Sequence, residues 1–549
     1  MYTGTDNQHI VSAKDKKYDR QLRLWAANGQ TALENAHVLL LSATAVGAEI
    51  LKNLVLPGVG AFTIVDDKLV SQEDIDSNFF VISDSLGKPR AESVSSYLQE
   101  LNADSTAHSL SVEDINALTE MSLPWEEYTL VVANGLLPST LKRIANFLWQ
   151  KDIPLIVTRS VGFYASLRIV VKEHAIFETH PDAAAIVDLR LDCPWPELRK
   201  FADGFDLETL EDIEHSHIPF VILLLLYLKK WREEHDNCDP ETREEKQEFK
   251  KHIQNGVRTS DPENFDEAAN AVWRTQKTVV PDNVLQILND PRANDLTSAS
   301  DSFWIIAHAV ADFVASEEGD GLLPLSGTVP DMKADTQTYV ALQSIYRAKA
   351  VKDRSIVLKR VRELESSLGR SEENAITEGE VEAFCKFSRF LVVQDGRSIE
   401  QEYTLATAKS DTIIQALTEP FLDEESEEPP QSAGSLMAVY IAMRAADEFA
   451  EQYGRYAGSL DEEYETDIGK IETIAANIMS SLGGTTTSYL YKALHEIVRY
   501  GGGELHNISS LLGGITAQEI IKLLTRQYVP MVNTMVFDGI QSRSEVWEL

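Results

Sequence analysis

Cysteine is scarce in this sequence: Cys193, Cys238 and Cys385 are the only three in 549 residues, far apart, with no CxxC and no Cys/His pair at zinc spacing. That argues against a disulfide framework or a structural metal. Cations are in deficit too, since 50 Lys plus Arg against 87 Asp plus Glu leave a formal charge of −37. Nucleic-acid affinity comes from clustered Lys and Arg that release counterions, so nucleic acid is excluded as a partner. Long apolar runs are also missing. The longest, residues 220–228, falls well short of the ~20 residues a membrane-spanning helix needs, and residues 1–20 lack the apolar core of a secretory signal. We therefore expect no membrane partner. What is present, 43% hydrophobic and 25% charged residues, is the composition of a folded globular protein, with length enough for roughly three or four domains.

From residue 35 to about 171, short β-rich runs alternate with helical ones, the pattern of a parallel sheet covered by helices. The expected strands are residues 38–41, 62–65, 130–133, 155–158 and 167–171, and the expected helices 45–56, 89–101 and 138–151. Ligands of a doubly wound α/β sheet bind beyond the carboxyl ends of the strands, so the loops after Leu41, Val65 and Ala133 are where function belongs. Beyond residue 172 the texture turns to long, charged, helix-period segments. Residues 218–234 read as one helix, apolar early and basic late, and 337–366 as a helix or two. An acidic run, 423–428, closed by Pro429-Pro430, reads as a solvated loop. Residues 508–524 are again helical and 534–537 form a short strand. The layout is one α/β domain in two pieces, 1–171 and 486–549, interrupted by a mainly helical insertion, 172–485. Acidic residues 423–428, and 461–465 with Asp467, fall within that insertion, so the negative field is expected there.

A nucleotide site on the first strand-to-helix turn needs glycines, because only a backbone without Cβ lets phosphate approach the helix N-terminus. Here the turn is Ser42-Ala43-Thr44-Ala45-Val46-Gly47. Only Gly47 remains, the glycine that serves helix-to-strand packing, and Thr44 puts a β-branched side chain where phosphate would come. Asp66 and Asp67 end the second strand where a ribose-binding carboxylate belongs; two acids there are equally a turn signal.

The segments Tyr18-Asp19-Arg20-Gln21-Leu22-Arg23-Leu24-Trp25, Ile64-Val65-Asp66-Asp67, Ser77-Asn78-Phe79-Phe80, Gly87-Lys88-Pro89-Arg90-Ala91-Glu92 and Leu512-Gly513-Gly514-Ile515-Thr516-Ala517-Gln518-Glu519 resemble, in that order, the adenylation domain of the ubiquitin-like activating enzymes. The insertion, with His215-Ser216-His217-Ile218-Pro219-Phe220 and Leu191-Asp192-Cys193-Pro194-Trp195, resembles the regulatory, non-catalytic half of the neddylation branch of that family. The resemblance implies a Rossmann-like adenylation domain, a cytoplasmic and nuclear location, and an obligate catalytic subunit as partner. That subunit would hold ATP, magnesium and the thioester cysteine, no cofactor being bound by this chain, and the pair would serve a ubiquitin-like modifier and a conjugating enzyme. A SUMO-type regulatory half, shorter and without this insertion, and a self-sufficient nucleotide-binding enzyme are the alternatives.

The resemblance also implies what this half has lost. Val81 stands where active members carry a phosphate-binding Arg, Arg90 where they carry a Lys, and nothing from Leu130 to Leu141 is acidic where they hold magnesium. Ser42, Thr44, Gly47, Asp66, Asp67, Val81 and Arg90 would then line a vestigial nucleotide pocket. By the same resemblance Arg20, and more weakly Arg23, would reach across the dimer to ATP on the partner; the plain alternative is an ion pair of Arg20 with Asp19 or Glu34. Cys193 and Cys238 lie beside acids and Cys385 reads as a core thiol, so no thioester nucleophile is expected. His215 with His217, and Glu504 with His506, lack a third ligand at useful spacing and read as ordinary surface or capping residues.

Overall fold

The structure, a computed structural model, describes residues 13–180, 188–371, 375–418 and 435–549. It divides into two compact units, Met1–His174 with Gln394–Leu549, and Ala175–Val393. The acidic run at 423–428 lies outside the described residues.

The first unit is built on an eight-stranded sheet. In chain order the strands are β1 His37–Leu41, β2 Ala61–Asp66, β3 Thr106–Ser111, β4 Leu130–Asn134, β5 Leu155–Val161, β6 Tyr164–Val170, β7 Glu173–Ile176, β8 Val392–Asp395, β9 Thr534–Asp538 and β10 Arg543–Trp547. The large sheet runs β10-β9-β6-β5-β4-β1-β2-β3, and β7 pairs separately with β8. From β3 to β5 all pairs are parallel; β6, β9 and β10 extend the sheet antiparallel. Alternation along β1 explains its unbroken apolar sequence. Val38 and Leu40 face a core shared with the helices Ala45–Val55, Arg90–Leu101 and His506–Thr525, whereas Leu39 and Leu41 face the opposite core with Pro138–Lys151. A strand covered on both faces needs apolar residues at every position.

β3 is different: an edge strand exposed along nearly its whole length, with the sequence Thr-Ala-His-Ser-Leu-Ser, it carries no apolar period. Polar side chains on an edge discourage pairing with another chain.

The expected insertion, 172–485, is corrected by the structure to Ala175–Val393. The helices Met437–Tyr453, Tyr464–Ser481 and Ser488–Tyr500 belong to the sheet's unit, where they share a core with Val161 and Tyr164 of the β5–β6 turn region and Val536 of β9. Burying the β9 end of the sheet requires an apolar cover, and Met437–Tyr453 supplies it with Val439, Ile441, Met443 and Phe449 all buried. Residues 461–467 therefore lie in this unit too, and not in the insertion.

The second unit is helical, with two cores. One helix, Thr336–Leu368, serves both: Leu342 and Tyr346 enter the first, Val357 and Val361 the second. At 1.5 Å per residue its 33 residues span about 50 Å. Asp335 caps its start by accepting from the Thr338 N–H at 2.9 Å, and Gly369 ends it in a left-handed conformation. Phe220–Glu234 starts after Pro219 and is buried from Phe220 to Leu225, then turns basic toward solvent.

Candidate functional site

A cleft of about 850 Å³ opens at the carboxyl ends of β1 and β4, where the chain reverses its direction of progress across the sheet. Ser42, Thr44, Asp67 and Arg90 line it, together with Arg159, Arg455 and Glu504.

Two other expected pocket residues lie beneath it. Gly47 packs its helix on the sheet: a Cβ there would stand 2.8 Å from the Ser42 carbonyl oxygen. Asp66, 1% exposed, accepts from the Ala43 N–H at 2.7 Å and the Lys68 N–H at 3.0 Å, bracing both turns. Val81 is a correction: it does not line the cleft but is buried in the core, because an apolar side chain in this loop gains more by packing than by facing a polar cleft.

Arg90 is a buried cation. Its Nε and Nη2 donate to the two Asp66 carboxylate oxygens at 2.8 and 3.1 Å, and its Nη1 donates to Asp74 at 2.9 Å. Burial alone would lower its pKa; the carboxylates of Asp66 and Asp74 outweigh that and raise it, so the guanidinium is permanently charged and already paired. Arg159 is likewise held by Asp447 at 2.8 Å, and Arg455 by Asp467 at 2.6 Å.

Sequence reading set Glu504 aside, with His506, as an incomplete metal-ligand pair and gave it no place in the cleft. Its Oε1 accepts from Thr44 Oγ1 at 2.9 Å and its Oε2 from the Val46 N–H at 3.1 Å, so a carboxylate sits on the N-terminus of Ala45–Val55. Thr44 does not cap its own helix, and Asn134 at the end of β4 donates to the Thr44 hydroxyl. Burial lifts the Glu504 carboxyl pKa above its usual value against the opposing pull of Thr44, Val46 and Arg159. An acid in a Gly-Gly-Gly-Glu stretch, residues 501–504, was a visible oddity, but nothing in the chain tied it to a turn 458 residues away.

A triphosphate with magnesium does not fit these residues. The helix N-H that would receive phosphate is taken, and the nearby guanidiniums are neutralised by this chain's own acids.

The N-terminal helix Asp19–Asn35 is pinned by Tyr18, whose hydroxyl donates to Asp104 at 2.9 Å and accepts from Asn102 at 3.0 Å. Arg23 spends its charge on Asp19 at 2.9 Å, and Glu34 is engaged by Lys14 at 2.7 Å. Both alternative partners of Arg20 are thus occupied, and among the described residues Arg20 is exposed without an ion pair.

Two of the three thiols, Cys193 and Cys385, are held protonated, while Cys238 is exposed. Burial, with Asp192 next to it, pushes Cys193 up to about 12, and burial pushes Cys385 up to about 12. A thiol with that pKa presents almost no thiolate near neutrality. Of the histidines, His215 is buried and stacked on Phe265 at 4.9 Å, His217 bonds the Ile213 carbonyl at 2.8 Å, and His506 packs against Phe79 at 3.9 Å.

Comparison with known proteins gives a consistent picture. Residues 18–548 match the ThiF family. The chain is 43% identical over 547 residues to the NEDD8-activating enzyme E1 regulatory subunit of Xenopus laevis, covering 98% of this chain and 99% of that protein. It is 35% identical over 535 residues to the NEDD8-activating enzyme E1 regulatory subunit AXR1 of Arabidopsis thaliana, covering 97% and 96%. To the regulatory subunit of the same name in Saccharomyces cerevisiae it is 24% identical over 557 residues, covering 97% and 100%.

Proposed function

The chain belongs to the ThiF family, among the NEDD8-activating enzyme E1 regulatory subunits, and from that premise we propose that it is the non-catalytic half of a heterodimer that activates a ubiquitin-like modifier of the neddylation type. The catalytic subunit holds ATP, magnesium and the thioester cysteine, and the modifier then passes to a conjugating enzyme. This chain completes the dimer and offers Arg20 to the partner's nucleotide site. The observation that carries the reading is the cleft: its helix N-terminus and the buried guanidinium of Arg90 are already satisfied by Glu504, Asp66 and Asp74. Adenylyl transfer depends on cations free to stabilise a crowded anion, and this half keeps neither of those two groups free for it. The exposed Arg20, with Asp19 and Glu34 otherwise engaged, supports a role in trans.

The test is ATP–pyrophosphate exchange. The isolated chain gives none, and adding the catalytic subunit gives robust exchange that depends on the neddylation modifier and not on a SUMO-type one. Exchange by the chain alone overturns the reading.

A further inference from the structure

The cleft is not too small for a nucleotide. Its volume of about 850 Å³ lies within the range of ordinary small-molecule sites, about 300–1,000 Å³, so steric closure does not explain its loss of function. Charge does. Asp67, Glu73, Asp74, Asp76 and Glu504 line it against Lys68, Arg90, Arg159 and Arg455, and each of the three guanidiniums already has a carboxylate partner. Glu504 differs from the other acids in position, because it occupies the helix N-terminus where the aligned peptide dipoles favour an anion.

That position is engineered by the backbone around it. The Gly162 N–H donates to the Gly503 carbonyl at 2.8 Å, and Gly162 forms a parallel bridge with Glu504, fixing residues 500–504 across the end of β5. Gly162 has φ +56, and a Cβ there would lie 2.1 Å from the Tyr500 ring. Two residues past Glu504, His506 packs edge-on against Phe79 at 3.9 Å. The carboxylate is therefore held from both sides.

We propose that Glu504 is a built-in substitute for phosphate, a specificity residue that excludes nucleotide from this half so that the heterodimer keeps a single nucleotide site. The proposal rests on the regulatory-subunit reading and adds to it the means of exclusion. Without the carboxylate, the Thr44 hydroxyl, which still accepts from Asn134, and the Val46 N–H lose the oxygens they donate to, and the charge near the helix N-terminus becomes less negative.

The experiment is calorimetric titration of inorganic pyrophosphate into the full-length chain, as wild type, Glu504→Ala and Glu504→Gln, with melting curves to establish folding. Wild type shows no saturable binding over the concentrations titrated, Glu504→Ala saturates at a tenth or less of the highest of them, and Glu504→Gln, which keeps the volume but loses the charge, also saturates. If both variants fold and neither gains, the proposal is overturned; if Glu504→Ala does not fold, Glu504→Gln alone decides. ATP is titrated into the wild type in parallel. Micromolar binding there overturns the regulatory-subunit reading itself, whereas a silent wild type with silent variants overturns only the role of Glu504.

Discussion

Two arginines of the first unit show what burial does to a charge. Arg168 is 5% exposed; its Nε donates to Glu402 at 2.6 Å and other guanidinium hydrogens reach the carbonyls of Ile169 and Leu549 at 2.7 and 3.2 Å. Tyr440 donates to the other Glu402 oxygen. Removing one member of such a network strands the other charge, so Arg168→Met is expected to lose about 3–5 kcal/mol in chemical denaturation. Burial would raise the Glu402 pKa, but Arg168 and the Tyr440 hydroxyl outweigh it and hold the carboxyl below its usual value. A depressed folded pKa means that the unfolded chain binds the proton first. The stabilisation is therefore fully present above the ordinary glutamate value of about 4.3 and is lost as pH falls toward the folded value. Glu402→Gln should flatten the acid limb of a stability-against-pH curve in that window. Arg20 is the opposite case. Being exposed, Arg20→Ala should change the stability of the chain by less than about 0.5 kcal/mol, yet lower modifier-dependent exchange by the reconstituted heterodimer at least about tenfold, since trans arginines are worth that or more. Exchange that stays at the wild-type rate would leave Arg20 a bystander.

At the scale of elements, the segment crossing the end of β5 depends on Gly162 as much as on Glu504. An alanine there takes on a left-handed φ, costing about 1–2 kcal/mol, and its Cβ overlaps the Tyr500 ring. Gly162→Ala should lower stability by about 2 kcal/mol or more in a denaturant titration. The central strands were legible because burial on both faces writes an unbroken apolar run, and β1, β2 and β4 lie within a residue of their expected ends. β3 was not legible, since an exposed edge strand needs no apolar residues and its ladder is set by its neighbour β2. Met437–Tyr453 and Tyr464–Ser481 lie in the stretch read as helical insertion, whereas Ser488–Tyr500 falls in the piece, 486–549, already read as part of the sheet's domain. A 3.6-residue period reveals that a helix has an apolar face, not which core that face joins.

For the whole molecule, the charge of −37 takes on a different geography from the one expected. Asp467 and Glu463 are not part of the helical insertion; they hold Arg455, which lines the cleft, at 2.6 and 2.5 Å. Part of the acidic excess thus neutralises a cation that lines the cleft. An acidic field of this kind attracts basic surfaces and speeds encounter in a salt-dependent way. Association of the assembled heterodimer with the conjugating enzyme, measured by stopped flow, is expected to slow several-fold between about 50 and 500 mM salt; a salt-independent rate would reduce the charge to a solubility device.

By itself the sequence determined the α/β class, the order of the buried strands, the missing glycine loop and the acidic neighbourhood of Cys193. Each of these is local, a property of residues adjacent in the chain or one helical turn apart. Only the tertiary structure decided where the insertion ends, that Val81 enters the core, and that Glu504 meets the N-H of Val46. Those are matters of which distant segments share a core or a helix end, and a side chain's charge and size do not reveal its partner until the chain has closed around it.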